Sequence, residues 1–310
     1  MTTRPHTNPH TTVILSDNGS LRPAATLSLR RIATALSRRL AMPVHPVSLQ
    51  HADRIDAERL AGKPAHTLAG FLQRQAEQGA RQFVIVPLFF GPSRALTALI
   101  PQVVGTVQTR FTDVRVNVAQ TLCPLPAGEP RLVEMLLASM PDRGEYRTGD
   151  APPQVVLVDH GSPSAQVTAV RHWLADALRR RLPPGHALRQ AAMARRAAAQ
   201  YDFNGASLAD TLHAIALDTP GIGPVQVVLS LLFLLPGQHA GPAGDIANIV
   251  AAARHRHPRL HVVSGKPLGE QPLLIDILAD RLQHALRHHS AVVDTRASAP
   301  ARQCSESRYI

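Results

Sequence analysis

Cysteine is nearly absent: Cys123 and Cys304 are the only two in 310 residues. Two such distant thiols supply neither a disulfide framework nor the ligands of an iron–sulfur cluster, so a reduced, cytoplasmic setting is the expectation. Aromatic residues make up 4% of the chain, with a single Trp. That leaves few stacking platforms for single-stranded nucleic acid. No stretch approaches the ~18 consecutive apolar residues of a spanning helix, so no membrane association is expected. The opening MTTRPHTNPHTT is polar and carries no apolar signal core. Acidic residues are outnumbered: 22 Asp and Glu stand against 33 Lys and Arg, a formal charge of +11. Such a surface favours anionic partners, whether nucleic acid, anionic lipid or a polyanionic small molecule. The base is mostly Arg, in Arg30-Arg31, Arg38-Arg39, Arg179-Arg180-Arg181 and Arg195-Arg196. Most of these lie in stretches of helical period, where a solvated face is the ordinary reading. Zinc-finger spacing and a recognition-helix pattern are both missing. Nucleic acid is therefore not expected, and a polycarboxylate ligand competes well.

What is present is a two-domain pattern. Hydrophobic residues make up 45%, enough for a core in each half. Short β-branched runs at Thr12–Ser16, Val44–Ser48, Phe83–Phe89 and Val114–Val118 read as strands. Ala24–Leu40, Ala65–Gln78, Ala95–Phe111 and Leu132–Met140 read as helices. After the Pro-, Gly- and charge-rich Pro141–Pro153 the pattern restarts. Strands are expected at Val155–Val158, Leu188–Ala192, Val225–Leu235 and Leu260–Ser264. Helices are expected at Gln166–Leu182, Leu208–Leu217, Ala243–His255 and Pro272–Arg287. This order predicts an α/β fold of two tandem domains, each a small parallel sheet covered by helices. The expected boundaries are 11–141, a linker over 142–153, 154–289, and a tail-like segment over 290–310. The halves also repeat in detail. Asp17-Asn18-Gly19-Ser20 and Asp159-His160-Gly161-Ser162 are 142 residues apart, and Leu88-Phe89 and Leu232-Phe233 are 144 apart. A tandem duplication explains both offsets.

In an open parallel sheet, ligands bind beyond the carboxyl ends of the strands. His160 follows the VVLVD strand, and His239 follows VVLSLLFLLPGQ. Adjacent parallel strands would bring these tips together. Two imidazoles facing one cleft can bind a divalent transition metal or act as bases near pH 7. Ordinary turn chemistry is the competing explanation for each histidine. Gly161 and Gly237 would let the backbone approach a flat ligand. The copy in the first half has Asn18 and Ala95 at the two histidine positions, so metal handling is assigned to the second half.

These residues also carry a resemblance. Val155–Ser162 (VVLVDHGS), Leu231–His239 (LLFLLPGQH), Asp245-Ile246 and the HPRL, GKPLGEQPLL and ADR elements within His257–Arg281 resemble the sirohydrochlorin chelatases. These are the cobalto- and ferrochelatases of the class II chelatase fold. The likeness spans nearly all of residues 154–287, and the first half is similar to a degenerate copy of the second. The resemblance implies insertion of a divalent metal into sirohydrochlorin, in cobalamin or sirohaem biosynthesis, without ATP. Co2+ ranks first, Fe2+ next, and Ni2+ is a further candidate. It assigns metal binding and proton acceptance to His160 and His239. It also assigns an assisting carboxylate to Asp202, where the family has Glu. Gly161, Ser162, Gly237 and Arg94 are the candidate contacts to the tetrapyrrole, with Arg195, Arg196 and Lys266 as further carboxylate partners. Glu58 of the first half falls opposite Asp202 under the 144 offset.

Histidines also cluster at His255 and His257, and at His284, His288 and His289. Residues 284 and 288 share a helix face, which is compatible with a metal-delivery patch, though a solvated helix is the ordinary explanation. Two rival functions stay open: a carrier of tetrapyrrole or metal without catalysis, and a basic nucleic-acid-binding α/β protein. A fused pair of domains suffices as a monomer, and a homodimer is compatible with the same sequence.

Overall fold

The computed structural model describes residues 11–141, 152–194, 198–241 and 243–287. Most of the expected linker, the tail from residue 290, Arg195, Arg196, His288, His289 and Cys304 lie outside them. Among the described residues, β1 (Thr11–Asp17), β2 (Val44–Ser48), β3 (Gln82–Pro87) and β4 (Arg115–Val118) form one sheet in the order β2-β1-β3-β4. The second sheet has the same order, β6-β5-β7-β8, from β5 (Gln154–Asp159), β6 (Leu188–Ala192), β7 (Val225–Leu231) and β8 (Leu260–Ser264). All neighbouring strands pair in parallel. The helices are α1 (Pro23–Leu40), α2 (Leu68–Glu77), α3 (Ile100–Arg110) and α4 (Pro130–Ser139), then α5 (Ala165–Arg179), α6 (Leu208–Asp218), α7 (Asp245–Arg256) and α8 (Pro272–Arg287). The predicted α/β architecture is thus the observed one. Among the described residues, no helix is long and apolar enough to cross a membrane.

Period-2 alternation sorts the strand side chains between layers. Val13 and Leu15 of β1 and Val84 and Val86 of β3 face one core. Ile14, Phe83 and Ile85 face another, under α2 and α3. A third core lies between the second sheet and α6 and α7. The central core holds α1, α4, α5 and α8 between the two sheets.

Within that central layer the terminal helices are exchanged. Helix α4 ends the first half yet packs on β7 and α5 of the second. Helix α8 ends the second half yet packs on β3 and α1 of the first. Polar contacts fix both ends of the exchange. The Lys266 amide donates to the Ser139 carbonyl at 3.0 Å, and Asn117 Nδ2 donates to the Ala285 carbonyl at 3.0 Å. Arg281 of α8 donates to the carbonyls of Thr121 and Leu122 and to Glu129 at the head of α4. Glu129 is buried and also holds Arg131 at 2.8 Å. Burial works against its ionisation, but the two guanidiniums outweigh this and hold its carboxyl below the usual range.

The differences from the sequence expectation have local causes. Strands β3 and β7 stop at Pro87 and Leu231, because their partners β1 and β5 end at Asp17 and Asp159. Helix α2 starts three residues late. The chain at 66–67 first pairs with Ser48 of β2, whose amide donates to the His66 carbonyl. The expected helix from Ala95 begins as a π turn over Ala95–Leu99, and the α-helix follows. Pro101, at the second position of α3, has no amide hydrogen to continue a regular ladder backwards.

A two-histidine centre between the strand tips

The chain leaves β5 for β6 on one side and returns over the sheet to β7 on the other. The carboxyl ends of β5 and β7 therefore flank the point where the winding reverses, the place where open α/β sheets form their ligand crevice. His160 is the first residue after β5. The Leu232 amide donates to the Val158 carbonyl at 2.9 Å and carries the chain on beside it towards His239. The two imidazole rings meet there, with centroids 4.4 Å apart and planes inclined at 65°. His160 is exposed, and about a third of the His239 side chain is open to solvent.

Each ring is held through the same nitrogen. His160 Nδ1 lies 3.0 Å from the Gly161 carbonyl, which only accepts, so Nδ1 carries the hydrogen. His239 Nδ1 lies 2.5 Å from Asp245 Oδ2. In the neutral rings both lone pairs then reside on Nε2. An ion about 2 Å from each Nε2 sits about 3 Å from each ring centre. A centroid separation of 4.4 Å is compatible with one ion shared at a cis angle. Among the described residues, no group of three or more His, Cys, Asp and Glu surrounds a common point. An ion here would keep open positions for water and substrate.

The described residues 237–241 and 243–245 bring Asp245 back to His239. The amides of Asp245 and Ile246 donate to the carbonyls of Gln238 and His239. Gly244 permits that closure: a Cβ there would lie within 2.8 Å of the carbonyl oxygens of Gln238, Gly241 and His239. Asp245 is also the first residue of α7, which fixes its position.

Behind His160 stands a buried polar wall. Arg171 of α5, 1% exposed, places Nη1 2.6 Å from Asp159 Oδ1, and that same oxygen accepts the Gly161 amide. A second guanidinium nitrogen, Nη2, donates to the Asn204 carbonyl. The Asn204 side chain accepts from the Ser162 amide and from Thr168, and donates to the carbonyls of Ser162 and Tyr201. The turn 160–164 and the 3-10 segment Ala199–Asn204 are thereby held as one unit.

The remaining predicted residues divide between this wall and the surface. Gly161 and Ser162 are buried in the wall. Gly161 needs its positive φ of 80°, and a Cβ there would meet Ala192 and Ala194. Gly237 has open space around its Cα. Asp202 is exposed on the 3-10 segment tied to the wall by Asn204. Arg94 is exposed at the head of the π turn. Its loop docks on the His160 turn, because Ser164 Oγ donates to the Pro92 carbonyl at 3.3 Å and Gly91 rests against Val167 and Val170 of α5. Lys266 is exposed after β8, and Glu58 sits in a separate 3-10 segment of the first half. The sequence reading missed Asp245, the Asp159–Arg171 pair and Asn204 as supports of the site. Asp245 carried two signals, its place after the loop glycines and its part in the Asp245-Ile246 element of the resemblance, but neither assigned it the support of His239.

The first half repeats this scaffold without its chemistry. Asn18 stands in place of His160, and Ala95 opens the π turn in place of His239. Under the 142 offset Leu29 stands in place of Arg171, and Asp17 is left buried with Oδ1 unpartnered. Burial raises its carboxyl to about 6, against a partial offset from Ser48 and the Gly19 amide.

A model of the CbiX family matches residues 12–140 and again 154–285. A chloroplastic sirohydrochlorin ferrochelatase of Arabidopsis thaliana is 38% identical over 66 residues, which is 21% of this chain and 28% of that protein. The matched stretch thus spans little more than a quarter of the plant enzyme. SirB of Bacillus subtilis, solved with Fe3+, superposes with a TM-score of 0.64 at 15% identity, over 90% of this chain and 96% of SirB. SirB of subspecies spizizenii, in complex with cobalt, gives 0.63 at 14% identity, over 92% and 99%. These two likenesses concern the fold.

Proposed function

We propose that this chain, which belongs to the CbiX family in both its halves, is a sirohydrochlorin chelatase whose reacting groups all lie in the second half. The pairing of His160 with His239 at 4.4 Å, each with Nδ1 occupied, is the observation that carries the reading. The reaction removes two pyrrole N–H protons and adds one divalent metal. The two Nε2 atoms would hold the incoming ion through two bonds only, loosely enough to surrender it to four pyrrole nitrogens. Once the ion has moved, the same atoms are free to take up the released protons and pass them to solvent. Asp245 would steady His239 through Nδ1 and keep its Nε2 turned to the cleft. Asp202 is the candidate carboxylate on the neighbouring segment, and Arg94, with the open backbone at Gly237, is the candidate contact to the tetrapyrrole rim. No step calls for ATP.

The metal is Co2+ in the first instance. Imidazole donors bind Co2+ more tightly than Fe2+ in the general order of divalent ions, and Fe2+ suits the same set. Ni2+ would be held more tightly still and serves as a comparison. The test is anaerobic metallation of sirohydrochlorin followed by absorbance, with Co2+, Fe2+ and Ni2+ in turn. Wild type is expected to accelerate insertion, and His160→Ala and His239→Ala are expected to abolish the acceleration with the fold intact. Tight binding of sirohydrochlorin with no acceleration would instead make the chain a carrier. Full activity in both variants would refute the assigned centre.

A further inference from the structure

A second imidazole pair lies on the opposite, outer face of the second sheet. His213 projects from the exposed side of α6, and His257 caps the carboxyl end of α7. His213 Nδ1 and His257 Nε2 are 2.8 Å apart, and the rings are 4.9 Å apart, tilted by 43°. The backbone of His257 is fixed on both sides, its amide donating to Ala253 and its carbonyl accepting from Leu260. Between the helices lies a cavity of about 190 Å3, lined by Ala209, Ile249, Ala252, Ala253 and Arg256 beside the two histidines. The small side chains let the imidazoles approach and leave the space in front of them clear.

As it stands, one hydrogen is shared between two nitrogens that each can offer a lone pair. Two nitrogens on one ion at about 2.0–2.1 Å are about 2.8–3.0 Å apart at a cis angle of 90°, and about 3.3 Å apart at a tetrahedral angle. The observed 2.8 Å suits the right-angled geometry of Ni2+, Cu2+ or octahedral Co2+. The Arg256 charge works against tight binding, so the site is suited to a reversibly held ion completed by water. We propose that His213 and His257 form a second divalent transition-metal site, separate from the strand-tip centre. The two are joined by α7, whose twelve residues begin at Asp245 and run for about 18 Å.

The test uses the full chain and Ni2+ alone, so it is independent of chelatase activity. In a His160→Ala/His239→Ala background, calorimetry is expected to find one Ni2+ equivalent. That equivalent is expected to disappear on adding His213→Ala or His257→Ala, and to survive His255→Ala. Loaded with Cu2+, the background protein is expected to give an electron paramagnetic resonance signal with hyperfine structure from two nitrogens. Both substituted positions reach the surface, and circular dichroism checks that each variant is folded. No Ni2+ bound in the background, or an equivalent that survives removal of both His213 and His257, would overturn the proposal.

Discussion

Asp17→Asn is expected to stabilise the protein above pH 6 and to change little below pH 4. In the second half the equivalent Asp159 is paired with Arg171 at 2.6 Å, but in the first half Leu29 fills the place of the arginine. The lone carboxyl, 7% exposed, is pushed by burial from 3.8 to about 6. Below pH 3.8 it is protonated in both the folded and unfolded chains, and its full favourable contribution is present. Between 3.8 and 6 the unfolded chain gives up the proton while the folded chain retains it, so stability falls as pH rises. The slope is about 1.4 kcal/mol per pH unit, which gives about 3 kcal/mol lost by pH 7. Asparagine keeps an acceptor for Ser48 and the Gly19 amide and never ionises. Guanidinium unfolding of both proteins from pH 4 to pH 8 measures the effect as a difference curve. The variant should gain about 3 kcal/mol relative to wild type across that window, equivalent to about 5 °C in Tm. A difference curve flat to within about 0.5 kcal/mol would refute a buried, unpaired carboxyl at this position.

Two further outcomes follow from the packing and the site. Asp245→Asn retains the loop but loses the charge that steadies His239, and it should weaken metal binding at the strand-tip centre about 10–100-fold. Metal titration should show this with unfolding free energy within about 1 kcal/mol of wild type. A chain ending at residue 141 should fail to fold alone, because it lacks α8, whose Leu274, Ile277, Leu278 and Leu282 are fully buried in the central core. At about 2 kcal/mol for each of these side chains, the missing helix removes more than the first half is expected to recover. Circular dichroism of that fragment, with and without the complementary fragment, measures it.

Strand and helix positions were legible because each apolar period reports a face that must be buried, and β1, β3, β5 and β7 each carry a short β-branched apolar run. The duplication was legible because its strand-tip turns keep the same Asp and Gly under different chemistry. The meeting of His160 with His239 followed from topology, since a β6-β5-β7-β8 order makes their strands neighbours. The exchange of α4 and α8 was not legible. An amphipathic helix states that one face is covered, and it carries no mark of which sheet covers it. The support of the site was hidden for a related reason. Arg171 reads in sequence as one more arginine of a basic helix, yet among the described residues it is the most buried charge of the second half. Its partner Asp159 sits in the repeated turn, where the first half has the same residue without the arginine. Comparing Arg171 with Leu29 separates what the turn needs to fold from what accompanies the two imidazoles. The turn forms in both halves, with Asp accepting the glycine amide. Only the half that presents two imidazoles also fixes that Asp with a buried cation. The arginine therefore fixes the turn that carries His160, and the first half has neither that arginine nor the two histidines.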